Sequence, residues 1–142
     1  IPQDRAKACE LYLKAGQLGC AVANFNLGIR YTTGDGVEVD ERKAMHYWEL
    51  AAMNGHIKAR YNLGATEYNA GNHQRAYKHF IIAAKSGYKD SLGQVKKGFM
   101  NGDVSKDEYE STLRAFHERQ TEMKSEARDK AAELRARAQS QI

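Results

Sequence analysis

Ala23-Asn24-Phe25-Asn26-Leu27-Gly28 and Ala59-Arg60-Tyr61-Asn62-Leu63-Gly64 are one pattern written twice, 36 residues apart. A second pattern follows each. Lys43-Ala44, Trp48, Ala51-Ala52 and Gly55 return 32 residues later as Arg75-Ala76, Phe80, Ala83-Ala84 and Gly87. A period in the thirties marks a chain built from stacked two-helix units. One such unit leaves an apolar face bare, so neighbouring units must cover it. A stack of this kind presents a surface to a partner and seldom encloses a reaction.

The spacing within the patterns is helical. Ala44, Tyr47, Trp48 and Ala51-Ala52 recur at steps of three and four and form one apolar stripe. Ala76, Phe80 and Ala83-Ala84 repeat it one unit later, and Ala8, Leu11, Tyr12 and Ala15 one unit earlier. These are the second helices of their pairs. The first helices are expected near residues 21–31, 57–68 and 90–99. Asp40 and Asn72 stand where a side chain can cap a helix start. Ser105-Lys106-Asp107-Glu108 is a capping box that opens a last helix. Gly19, Gly55 and Gly87 are placed to end second helices in the left-handed conformation, and Gly34-Asp35-Gly36 forms a turn. Gly28 and Gly64 are expected where two helices cross closely. The Ala-Ala pairs would admit the next unit's helix, and Trp48 and Phe80 would fill the wedge between units.

From Asp107 to about Ala138 there is neither glycine nor proline. Leu113 and Phe116 are expected to cap the stack. Met123, Ala127 and Leu134 continue the stripe thinly, and the helix then projects. Glu110–Arg114, Glu126–Lys130 and Glu133–Arg137 are oriented as i,i+4 pairs, worth ~0.3 kcal/mol each. The projection reads either as a solvated helix or as a weak coiled-coil or partner helix. Gln120 and Lys130 interrupt the heptad.

The chain of 142 residues carries 22 basic and 18 acidic side chains, a formal charge of +4. From Ser105 onward the charges balance at eight and eight, so the excess lies in residues 1–104. This mild excess does not demand nucleic acid. Lys85, Lys89, Lys96 and Lys97 cluster near the third unit; single-strand binding wants aromatics interleaved with such charges, but the nearby Tyr88 and Phe99 are expected in the core. Cys9 and Cys20 belong to no C-x-x-C pair. Two such thiols favour a reducing intracellular compartment, cytoplasm or organelle interior. The longest apolar run, Phe80 to Ala84, is far short of a membrane span. No His pair stands at i,i+4, no G-x-S-x-G occurs, and no lysine follows Gly34-Asp35-Gly36 at phosphate-loop spacing. His46 and His79 are expected at the surface. No catalytic residue, metal site or cofactor is assigned.

A-x-x-x-L-G-x-x-Y, G-x-G-V-x-x-D, K-A, an aromatic and A-A-x-x-G together resemble the Sel-one-like repeat, a relative of the tetratricopeptide repeat. The residues that carry the likeness are Ala23, Leu27, Gly28, Tyr31, Gly34, Gly36, Val37, Asp40, Lys43, Ala44, Trp48, Ala51, Ala52 and Gly55. A second unit with a shortened loop runs from Ala59 to Gly87. A third is degenerate, with Ser91 and Val95 for Ala and Leu and Lys96 for the glycine. Before Gly19 only the second helix of a further unit remains, so another helix or a partner is expected ahead of Ile1. The resemblance implies an all-α, right-handed α–α superhelix: a solenoid over 1–104 and a long charged C-terminal helix over 105–142.

The resemblance also implies a non-catalytic interaction scaffold or adaptor, as relatives serve in signalling and protein quality control. Its partners would be other proteins within a larger assembly, with no small-molecule substrate. A groove lined by first helices would grip a partner helix or extended peptide. By register with Leu-Gly, its contacts are Phe25, Ile29, Thr32, Tyr61, Ala65, Tyr68 and Lys97. The alternative is a bracing subunit of a multi-protein or ribonucleoprotein complex, engaged through the last helix and the basic patch of Lys96, Lys97, Arg135 and Arg137.

Overall fold

A computed structural model describes residues 7–8, 10–14 and 20–141. Every regular element among them is helical. A leading segment, α1, is helical at residues 7–8 and 10–14. It is followed by α2 (Ala21–Thr33), α3 (Glu41–Met53), α4 (Ile57–Asn69), α5 (His73–Lys85), α6 (Lys89–Met100) and α7 (Lys106–Ser140). Helices pack chiefly on their sequence neighbours, and α7 reaches back across α6 to α5. This is an α–α solenoid of hairpins α2–α3 and α4–α5, closed by α6 with the first part of α7. Ala15, Gly19 and Cys9 lie outside the described residues.

The repeated residues form the core. Ala51, Ala52, Ala59 and Leu63 gather with Phe25 and Trp48 in one buried cluster, which joins the first unit to the second. Ala76, Tyr77, Phe80, Ala84, Val95 and Val104 form the next. The repeat glycines work differently from the sequence expectation. A Cβ on Gly28 would run into the Trp48 indole, and one on Gly64 would stand 2.7 Å from the Phe80 ring. The missing side chain therefore seats an aromatic ring from the second helix of the same hairpin, not a neighbouring backbone. Trp48 is fixed there by its Nε1, which donates to Phe25 O at 3.3 Å. It also reaches the wedge toward α4 through Ala59 and Leu63.

In the third unit Lys96 replaces the glycine and is exposed, while Ser91 and Val95 remain buried. Gly98 accepts a ring instead, that of Tyr77 from α5. The caps follow local chemistry. Asp40 accepts from Lys43 N at 3.1 Å, and Ser105 accepts from Glu108 N at 3.1 Å. Asn72 occupies the N-cap position of α5, but its amide donates to Glu67 Oε2 at 2.8 Å and leaves the helix amides alone. Gly55 and Gly87 have φ of 87° and 101°, values that exclude side chains with a Cβ at little cost.

α7 is 35 residues long, about 52 Å at the helical rise. Its first half is docked. Thr112 and Phe116 are buried, and Gln120 Nε2 donates to Gly87 O at 3.1 Å. Every residue from Thr121 to Gln141 is exposed. Its ion pairs differ from those expected. Lys106 pairs with Glu110 at 3.9 Å, and Arg119 with Glu122 and Glu126 at 3.2 and 3.6 Å. Arg119 projects from the edge of the docked face, so it collects the two carboxylates one turn and two turns onward.

Candidate functional site

Successive units repeat one ring contact. Phe25 stacks on His56 at 4.2 Å, and Tyr61 meets Tyr88 at 5.3 Å. Phe25 and Tyr61 are 36 residues apart, and His56 and Tyr88 are 32 apart. His56 and Tyr88 each hold the N-cap position of the next first helix. His56 Nδ1 also accepts from Ala59 N at 3.1 Å, so the ring is a cap as well as a packing surface. The sequence expectation gave neither residue a place in the groove. Their signal was there: each directly follows the glycine that ends a second helix.

Beside the Tyr61–Tyr88 contact lies a cleft of about 240 Å³ between α4 and α6. It is lined by Tyr61, Ala65, Tyr68, Asn69, Phe80 and Gln94. Phe80 is 2% exposed and forms the floor. Tyr61 packs against Phe80 at 5.4 Å. Tyr68 is held by stacking on His73 at 4.3 Å and by edge contact with Tyr77 at 6.1 Å. The walls are thus aromatic and braced, and the rim carries two amides.

Of the seven groove residues named from register, Tyr61, Ala65 and Tyr68 meet in this cleft. Phe25 does not face solvent. It is buried, because His56 covers one face of its ring. Ile29 and Thr32 are exposed on α2, and Thr32 Oγ1 donates to Gly28 O at 2.6 Å. Lys97 is exposed on α6, but the cleft wall there is Gln94. Each first helix turns one edge to the unit before it and another to the unit after. Register alone does not say which.

Two further concavities lie among the described residues. One, of about 160 Å³, lies at the start of α4 among Ala52, His56, Arg60, Ile82, Ala83 and Ser86. His79 is half-buried beside it, with Nδ1 3.4 Å from the Arg60 guanidinium, and is not the free surface residue expected. Burial first, and then the Arg60 charge, pushes the His79 imidazole below its ordinary range. Burial and then Lys58 do the same to His56. The other concavity, about 310 Å³, is formed by the α2–α3 loop around Tyr31, Val39 and Lys43. Among the described residues no three His, Cys, Asp or Glu side chains are grouped to hold a metal ion, and no helix is long and apolar enough to cross a membrane. Lys85, Lys89, Lys96 and Lys97 are all exposed.

This geometry of ring-on-glycine hairpins, with alanine pairs between them, is that of a helical repeat protein. The Sel1 repeat profile matches residues 1–20, 21–56 and 57–88, and the chain belongs to that family. The profile's second and third matches coincide with hairpins α2–α3 and α4–α5. A putative sel1-like repeat-containing protein, L21 of Acanthamoeba polyphaga mimivirus, is 32% identical over 88 residues, which is 62% of this chain and 15% of that protein. Among solved structures, c5321, described as a protective antigen of uropathogenic Escherichia coli with an SLR fold, superposes with a TM-score of 0.66. It is 26% identical, over 82% of this chain and 26% of its own. A Sel1 repeat protein from Oxalobacter formigenes gives 0.61 at 22% identity, over 79% and 49%. The chain therefore spans less than half the length of these relatives. Sel1 repeats serve in general as protein-interaction scaffolds and are typically non-catalytic.

Proposed function

We propose that this chain is a non-catalytic scaffold that binds a peptide segment of a partner protein in the cleft between α4 and α6. In this reading residues 1–104 are the binding body, and 105–142 close it and extend from it. One large apolar side chain of the partner enters between Tyr61 and Tyr68 and rests on Phe80. Asn69 and Gln94 bond to the partner's backbone, which carries a donor and an acceptor at nearly every residue. Tyr61 and Tyr68 are the contacts that carry affinity, because rigid aromatics lose little entropy on binding, and Ala65 leaves room between them. The observation that supports this reading is the braced aromatic cleft itself, walled by three residues at the repeat's surface register.

Ala65→Ile is the decisive variant. The corresponding position one unit earlier is Ile29, so the repeat tolerates the side chain, and in α4 it would occupy the cleft. A displayed peptide library selected on the full chain is expected to yield peptides sharing one large apolar residue. Ala65→Ile should weaken their binding at least about tenfold, a loss of ~1.4 kcal/mol, with an unchanged melting temperature. Selected peptides that bind Ala65→Ile and Tyr68→Ala as well as the parent would refute the site.

A further inference from the structure

The face of α7 that docks on the solenoid continues after the solenoid ends. Phe116 is buried, Gln120 bonds to Gly87 O, and Met123 Sδ comes within 3.5 Å of where a Cβ on Gly87 would stand. Beyond that point the same face carries Ala127, Ala131, Leu134 and Ala138. At 3.6 residues per turn all four lie within about 40° of the line through Phe116 and Gln120. All are exposed, and Leu134 is 56% exposed.

Charge is sorted around this stripe. Lys124, Arg128 and Arg135 follow one edge, and Lys130 and Arg137 the other, roughly 60–100° from the midline. Glu122, Glu126, Asp129 and Glu133 gather toward the back, roughly 100–160° away on one side. Arg119 already neutralises Glu122 and Glu126. The apolar strip is thus framed by cations.

We infer that residues 124–140 are a docking site for an amphipathic helix of another protein whose own apolar stripe is bordered by aspartate and glutamate. A second copy of this chain is a poor occupant, because stripe-to-stripe contact sets cations against cations along both edges. A lipid surface is also a poor one. Interfacial helices insert bulky apolar side chains, and this stripe offers alanines and one leucine. The same small side chains suit a helix, since they let two helix axes approach closely. Nucleic acid would meet five cations partly offset by three carboxylates on the segment and gain nothing from the stripe. Because the segment touches nothing else in the fold, this inference stands or falls separately from the cleft.

The test uses the full chain and two synthetic three-heptad peptides, with leucine and alanine at a and d and either glutamate or lysine at e and g. Fluorescence anisotropy is expected to show the glutamate peptide binding at least about tenfold more tightly than the lysine peptide at low salt, the difference shrinking as salt screens it. Leu134→Asp should abolish binding with an unchanged melting temperature. Reversing Arg128, Lys130, Arg135 and Arg137 to Glu together should switch the preference to the lysine peptide. The inference is overturned if the glutamate peptide does not bind, or if both peptides bind alike. It is equally overturned by self-association or phosphatidylserine-vesicle binding that Leu134→Asp removes.

Discussion

Gly64→Ala and Gly93→Ala are the same change in the middle of two first helices, and packing sends them in opposite directions. Gly93 has open space where a Cβ would stand. Alanine there gains the helical preference over glycine, about 0.8 kcal/mol. At Gly64 the new methyl would lie 2.7 and 2.8 Å from two Phe80 ring atoms, where ordinary contact begins at 3.4 Å. The ring must retreat by about 0.7 Å in a core that resists such shifts. Phe80 is buried and flanked by Tyr61 and Tyr77 at 5.4 and 6.2 Å, so a shift of the ring disturbs both neighbours. Overpacking of this kind costs about 1–3 kcal/mol. Set against the helical gain, Gly64→Ala loses about 0.2–2 kcal/mol. Gly28→Ala loses more, since all three nearest indole atoms lie closer than 3.0 Å to its Cβ.

Urea unfolding followed by far-UV circular dichroism reads these differences directly. The double variant Gly64→Ala/Phe80→Leu isolates the cause. Leucine vacates the space the methyl needs, so the pair should be more stable than the sum of its parts by about 1 kcal/mol. If Gly64→Ala stabilises as Gly93→Ala does, or if the double variant is strictly additive, the glycine is not there to seat the ring.

Three further outcomes follow from the packing. His56 and His79 both titrate below their ordinary value of 6.5 when folded. The unfolded chain therefore takes up protons first, so their stabilisation is complete above about pH 6.5 and is lost as the pH falls toward the lowered values. His56→Asn caps α4 without titrating and should flatten the decline, whereas equal melting-temperature losses from pH 7 to 5 in both proteins would refute the role of His56. Ser91→Ala should raise the unfolding free energy by about 1 kcal/mol, because Ser91 Oγ is buried without a hydrogen-bond partner while Gly87 O, one turn back, accepts from Gln120; a loss of stability would show that the hydroxyl is satisfied. Ending the chain after Met123 should leave the urea midpoint within error of the parent while Phe116→Ala loses about 3 kcal/mol, and a large loss on truncation would mean that the distal helix is docked.

Much of this architecture is legible in the sequence because a repeat states each packing rule more than once. Leu27-Gly28 with Trp48, and Leu63-Gly64 with Phe80, fix hairpin pairing by co-occurrence. What a glycine faces is harder to read, since a missing side chain serves a backbone and a ring equally well. Asn72 shows the limit for caps: its position is right, but Glu67 competes for its amide. The charges of α7 show another. Alternating residues along a solvated helix admit several pairings of similar energy, and Arg119 selects its own.

The proposed cleft shows how one register gives different surfaces in different units. Positions 25, 29 and 32 in α2 correspond to 61, 65 and 68 in α4. In the first unit His56 lies flat on Phe25, with ring planes 17° apart, and closes the space between first helices. In the second, Tyr88 meets Tyr61 at 54°, so the rings leave a gap beside them. Ile29 is replaced by Ala65, which deepens that gap, and Thr32 by Tyr68, which walls it. The periodic residues determine where an inter-unit groove can exist, and the aperiodic ones determine whether it is open. A search for binding surfaces in such chains should therefore begin where two units agree on their core and disagree at the register positions between first helices.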